Sequence, residues 1–118
     1  MPSPNDPFLT HLQSILLSRK QQDPKNSYVA SLYHRGLNKI LEKVGEEATE
    51  VILAAKDHHT DQPHTEHALV GEVADLWFHT LVLLSHQGIA VERVLDTLRQ
   101  REGTSGHVEK AQRQKTDD

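Results

Sequence analysis

Apolar residues recurring every three to four positions constrain this chain more than any other feature. Leu37, Ile40, Leu41, Val44, Ala48, Val51, Ile52 and Ala55 keep that spacing over about five helical turns. A second stretch, from Thr65-Glu66 to His86, is apolar nearly all round at Leu76-Trp77-Phe78 and Leu81-Val82-Leu83-Leu84, and Gly88 supplies its stop signal. A helix without a polar face is buried on more than one side, which in 118 residues implies a second subunit. A shorter amphipathic helix runs from Phe8 to Lys20 and ends before Pro24; a last one spans Val91 to Arg101. Asp23 to Leu32 reads as a loop leading into a helix, and Asp57 to Pro63 as a polar break. Aromatic residues are only 4%, so Leu, Val, Ile and Ala must fill the core, which suits helices better than a sheet sandwich. Gly45 interrupts the first long helix at a cost of roughly 1 kcal/mol, which close backbone packing would explain. The expectation is one all-α domain over residues 1–118. It is a bundle of four to five helices completed by homodimerisation, with 1–7 and 112–118 as flexible ends.

Charge and cysteine count exclude several functions. Seventeen acidic against thirteen basic residues give −4, which argues against nucleic-acid binding through a basic surface. A phosphate substrate stays open, because a bound divalent metal reverses the local sign. Without cysteine there is no disulfide, thiolate nucleophile or zinc–thiolate site. The start, Met1 to Pro7, lacks the basic-then-apolar order of a secretion signal, and no run approaches the ~20 apolar residues of a membrane span. The chain reads as soluble and cytoplasmic, with neither nucleic acid nor membrane as a partner.

Two acidic clusters fall on the two long helices: Glu46-Glu47-x-x-Glu50 and Glu72-x-x-Asp75. Residues three or four apart share a helix face, so each cluster presents converging carboxylates that repel unless a cation lies between them. An all-carboxylate donor set favours a hard ion, Mg²⁺ first and Mn²⁺ second. At about 100° per residue, Glu47 lies roughly 80° and Glu50 roughly 140° from the centre of the apolar stripe, on one side, while Glu46 lies about 180° away. Glu47, Glu50, Glu72 and Asp75 are therefore the metal-ligand candidates, and Glu46 the candidate for orienting a water. His79 shares the edge with Glu72 and Asp75 and reads as a core histidine behind them. Glutamates at i, i+4 are common on solvated faces, but two such clusters bordering apolar stripes, with Asp75 in mid-helix, weigh against decoration.

This pair of motifs resembles the MazG-like all-α nucleoside triphosphate pyrophosphohydrolases. The blocks Ser27-Tyr28-Val29-Ala30-Ser31-Leu32, Gly36 to Ala48, Glu72-Val73-Ala74-Asp75-Leu76-Trp77-Phe78-His79 and Ser105 to Ala111 are similar to the phosphoribosyl-ATP pyrophosphatase family of histidine biosynthesis. The resemblance implies Mg²⁺-dependent hydrolysis of phosphoribosyl-ATP to phosphoribosyl-AMP and pyrophosphate by a homodimer. It also implies that Ser27, Tyr28 and Ser31 line the substrate pocket, although Ser27 or Ser31 serves equally as a helix N-cap. Lys43 and Lys56, near the ends of the acidic helix, are candidates to meet phosphate, with a Lys43–Glu47 surface pair the alternative for Lys43. The histidines between the acidic helices, His58, His59, His64 and His67, have no metal-ligand spacing. Two rival functions are a house-cleaning (d)NTP pyrophosphohydrolase of the same fold and a non-catalytic helical dimerisation module. A di-iron bundle is disfavoured, since Glu72-x-x-Asp75 stands where that class places Glu-x-x-His.

Overall fold

The computed structural model describes residues 7–103 and Arg113, and all regular structure among them is helical. Five α-helices follow in order: α1 (Phe8–Ser18), α2 (Tyr28–Arg35), α3 (Leu37–Asp57), α4 (Pro63–His86) and α5 (Val91–Arg101). The tail block Ser105 to Ala111 and, apart from Pro7 and Arg113, the ends expected to be flexible lie outside the described residues.

Local chemistry sets the boundaries. α1 passes into one 3₁₀ turn, Arg19–Gln21, before Pro24. α2 begins inside the span read as a loop, because Ser27 caps it: its Oγ accepts from the Ala30 N–H at 3.1 Å. Gly36 alone joins α2 to α3, at φ +93, a left-handed conformation that favours glycine. It lays α2 along the start of α3 and so brings Tyr28 toward the acidic helix. α4 starts at Pro63 rather than Thr65, since proline is preorganised for the first helical position.

The core gathers Leu16, Val29, Leu32, Ile40, Leu81, Val82 and Val91, each fully buried side chain contributing about 1.5–3 kcal/mol. α3 and α4 form the most closely associated pair, an antiparallel hairpin. Of the apolar stripe expected to be buried along α3, only Ile40 is fully covered. Leu37, Leu41 and Ile52 share a face that stays exposed, Ile52 at 58%, and α4 leaves Val70 and Trp77 exposed, Trp77 at 60%. The space beside Gly45 is open, so no packing among the described residues accounts for that glycine. Phe78 packs against the core of its own chain.

α4 corrects one expectation: by length and composition it is apolar enough to cross a membrane. Among the described residues it packs against α3 and α1, with His79, Leu81, Val82 and Ser85 buried and Glu72 and Asp75 turned toward Glu47 of α3.

A buried polar clamp ties α1 to the start of α5. Gln13 Nε2 donates to the Ile89 carbonyl at 2.9 Å, and its Oε1 accepts from the Val91 N–H at 2.8 Å, an otherwise partnerless group in the first turn of α5. Replacing Gln13 by Leu orphans both backbone groups, at about 1–3 kcal/mol each. Urea unfolding should show a lower midpoint with an unchanged slope; an unaltered midpoint would contradict the clamp.

Candidate active site

The α3–α4 hairpin brings together one oxygen each from Glu47, Glu72 and Asp75, all within 4.8 Å of one another. Glu72 and Asp75 lie one turn apart on α4, and Glu47 meets them from α3, as the two helical periods require. Glu47 and Glu72 are half-buried and Asp75 is exposed. Among the described residues, none of the three forms an ion pair with lysine or arginine. Glu72 registers the crowding: desolvation, then the charges of Glu47, Glu50 and Asp75 and a hydrogen bond with Glu47, raise its carboxyl pKa.

A raised folded pKa means the native state takes up a proton before the unfolded chain does. Glu72 therefore favours folding fully below its unfolded pKa, and that contribution is lost as pH rises through the folded value. In a chelator, the Glu72→Gln variant should gain thermal stability relative to the parent as pH rises from about 4 to 7. A difference constant across that range would count against the crowding.

Glu50, one turn beyond Glu47 on α3, stays outside the three-oxygen group but close enough to raise the Glu72 pKa. It borders a groove of about 600 Å³, lined also by Asp57, His64, Thr65 and Glu72. Thr65 closes the connecting loop by accepting from the His59 N–H at 2.9 Å. The loop histidines gather into no metal-ligand group among the described residues.

Glu46 stands outside the three-oxygen group and pairs with Lys43 at 2.9 Å. This i, i+3 pair replaces the Lys43–Glu47 pair weighed from sequence. The Lys43 hydrogen bond, then its charge, hold the Glu46 carboxyl below its usual range. Lys56 is exposed in the last turn of α3, about 13 Å along the helix from Glu47, and does not line the groove. Ser27 is occupied as the α2 cap, and Ser31 Oγ donates to the Tyr28 carbonyl at 2.6 Å. Tyr28 lies beside the carboxylates: partial burial pushes its phenol up, Lys43 pulls it down, and Glu47, Glu46 and Asp75 push it up again.

Sequence reasoning missed the Tyr28–His79 hydrogen bond, 2.7 Å long, which ties the start of α2 to the carboxylate edge of α4. Only their membership in neighbouring motif blocks hinted at it.

Comparison with known proteins bears on the same residues. A family model described as phosphoribosyl-ATP pyrophosphohydrolase matches residues 9–102, which include every carboxylate above. A protein from Hydrogenovibrio crunogenus called phosphoribosyl-ATP pyrophosphatase is 56% identical over 110 residues, 93% of this chain and 96% of its own length.

Proposed function

Since the chain belongs to the phosphoribosyl-ATP pyrophosphohydrolase family, we propose that Glu47, Glu72 and Asp75 hold the Mg²⁺ on which its activity depends. That activity is hydrolysis of phosphoribosyl-ATP in histidine biosynthesis, releasing pyrophosphate. The convergence of three carboxylate oxygens within 4.8 Å, without a basic partner among the described residues, carries the metal reading.

The donor set fits the ion. All three donors are oxygens, and octahedral coordination at ~2.1 Å spaces its ligands by about 3–4 Å, so little adjustment is needed. Mn²⁺ satisfies the same set. Glu50, one turn beyond Glu47 and lining the same groove as Glu72, is the fourth ligand in this proposal. Bound Mg²⁺ supplies neutralisation of charge on the phosphoryl oxygens.

The chain's own residues supply the rest. Glu46, kept anionic by Lys43, accepts a hydrogen bond from the attacking water and orients it; its lowered pKa makes it a poor proton acceptor. The water oxygen adds to the α-phosphorus in line as the bond to the bridging oxygen breaks; pyrophosphate leaves and the surplus proton passes to solvent. Lys43 offsets charge near Tyr28, and both face the nucleotide. Glu46→Gln should lower kcat about tenfold to a hundredfold with KM little changed, as loss of an orienting group does. An unchanged kcat would remove Glu46 from the mechanism.

The exposed Leu37–Leu41–Ile52 face of α3 and Val70–Trp77 face of α4 support a homodimer, in which the second copy covers both. Membership in a family of histidine-biosynthesis enzymes supports a cytoplasmic setting.

A substrate panel tests the function. Phosphoribosyl-ATP should be hydrolysed in Mg²⁺ or Mn²⁺ and spared in chelator, with canonical and modified (d)NTPs poorly used. Equal use of dNTPs would favour the house-cleaning reading, and full turnover in chelator would overturn the metal.

A further inference from the structure

His79 is 6% exposed, yet both of its ring nitrogens are engaged. Nδ1 lies 2.8 Å from the Asp75 carbonyl oxygen and Nε2 lies 2.7 Å from the Tyr28 hydroxyl. The ring stands edge-on to Tyr28 and Phe78, with centroids 5.7 and 5.3 Å away, which fixes its plane. A carbonyl can only accept, so Nδ1 carries the hydrogen. In the neutral ring Nε2 is then an acceptor, and the phenol must donate to it. Tyr28 thus directs its one hydrogen inward and leaves only lone pairs for whatever meets its exposed side.

We propose that His79 is a positioning residue that makes Tyr28 a hydrogen-bond acceptor at the site, so that Tyr28 receives an O–H donor and not a phosphate oxygen. This rests on the site reading above, which places Tyr28 beside the carboxylates. The phenol feels the Lys43 ammonium first among the nearby charges, and the carboxylates of Glu47, Glu46 and Asp75 oppose it. Two partners share that chemistry, a ribose hydroxyl of the substrate and the attacking water.

The test combines a double-mutant cycle with a spectroscopic readout. Tyr28→Phe and His79→Leu should each lower kcat/KM about fivefold to tenfold, with the double variant no worse than the poorer single. His79→Gln, which keeps an acceptor near the Nε2 position, should recover part of the loss. A ribose partner raises KM in Tyr28→Phe, an effect that vanishes with a deoxyribose analogue; a water partner lowers kcat with both substrates. Nitrogen NMR of the unsubstituted protein should place the His79 hydrogen on Nδ1, a result independent of whether His79→Leu folds. A hydrogen on Nε2, or additive losses in the double variant, would overturn the inference. The site reading fails separately, if Glu47→Gln keeps normal turnover.

Discussion

Glu47→Gln should lower phosphoribosyl-ATP hydrolysis by at least about a hundredfold, the scale expected if Glu47 is a ligand of the proposed catalytic metal. Glu47 is the sole contribution of α3 to the three-oxygen group, so its loss leaves a pair confined to one helix. Two changes in stability accompany the kinetic one and have opposite signs. Without metal the variant melts no lower than the parent, because one charge pressing on Glu72 is gone. With Mg²⁺ it should lack the stabilisation expected of the parent, since a ligand that binds only the native state raises stability by mass action. Asp75→Asn behaves in the same way. Circular dichroism should show the helices intact in both variants, and pyrophosphate release assays with melts in Mg²⁺ and in chelator measure the rest. Normal turnover would remove these residues from the site.

Trp77→Glu should convert the proposed dimer into monomers. Trp77 is 60% exposed in the single chain, within one face of α4 that also holds Val70. In a lone chain this substitution would be nearly neutral, as surface changes are. In a dimer it removes roughly 2–3 kcal/mol of apolar burial and puts a charge in its place, so the dissociation constant rises at least about a hundredfold. Light scattering across a dilution series reads the change directly. A monomeric parent protein would end the dimer proposal, and a stable Trp77→Glu dimer would move the interface elsewhere.

The long helices were legible because α3 and α4 repeat apolar residues for many turns, and Gly88 and Arg101 mark real ends. α2 was not, because eight residues hold too little periodicity to separate a capped helix from a loop, and Ser27 served both readings. Periodicity also could not say what covers a stripe. Leu41 and Ile52 fit the pattern as well as Ile40 does, yet Ile40 alone is enclosed by its own chain. Gln13 did carry a signal: it sits at the i+4 place of the Leu9–Leu12–Leu16 stripe, where a polar residue on the buried face calls for a partner. At the site, the convergence of Glu47, Glu72 and Asp75 without Glu46 follows from helix geometry. The choice of Glu46 over Glu47 by Lys43 depends on side-chain rotamers, which spacing does not determine.

The hairpin that carries the carboxylates has a consequence for how the molecule assembles. Glu47 and Glu72 stand 25 positions apart along the chain, whereas the Gln13–Val91 clamp joins residues 78 apart. Closing the shorter loop costs about 1 kcal/mol less chain entropy, so α3 and α4 can meet before the ends of the chain do. A cation captured at that stage would act on the folding rate as well as on the finished enzyme, joining the first two helices to pair while α1 and α5 are still finding their places.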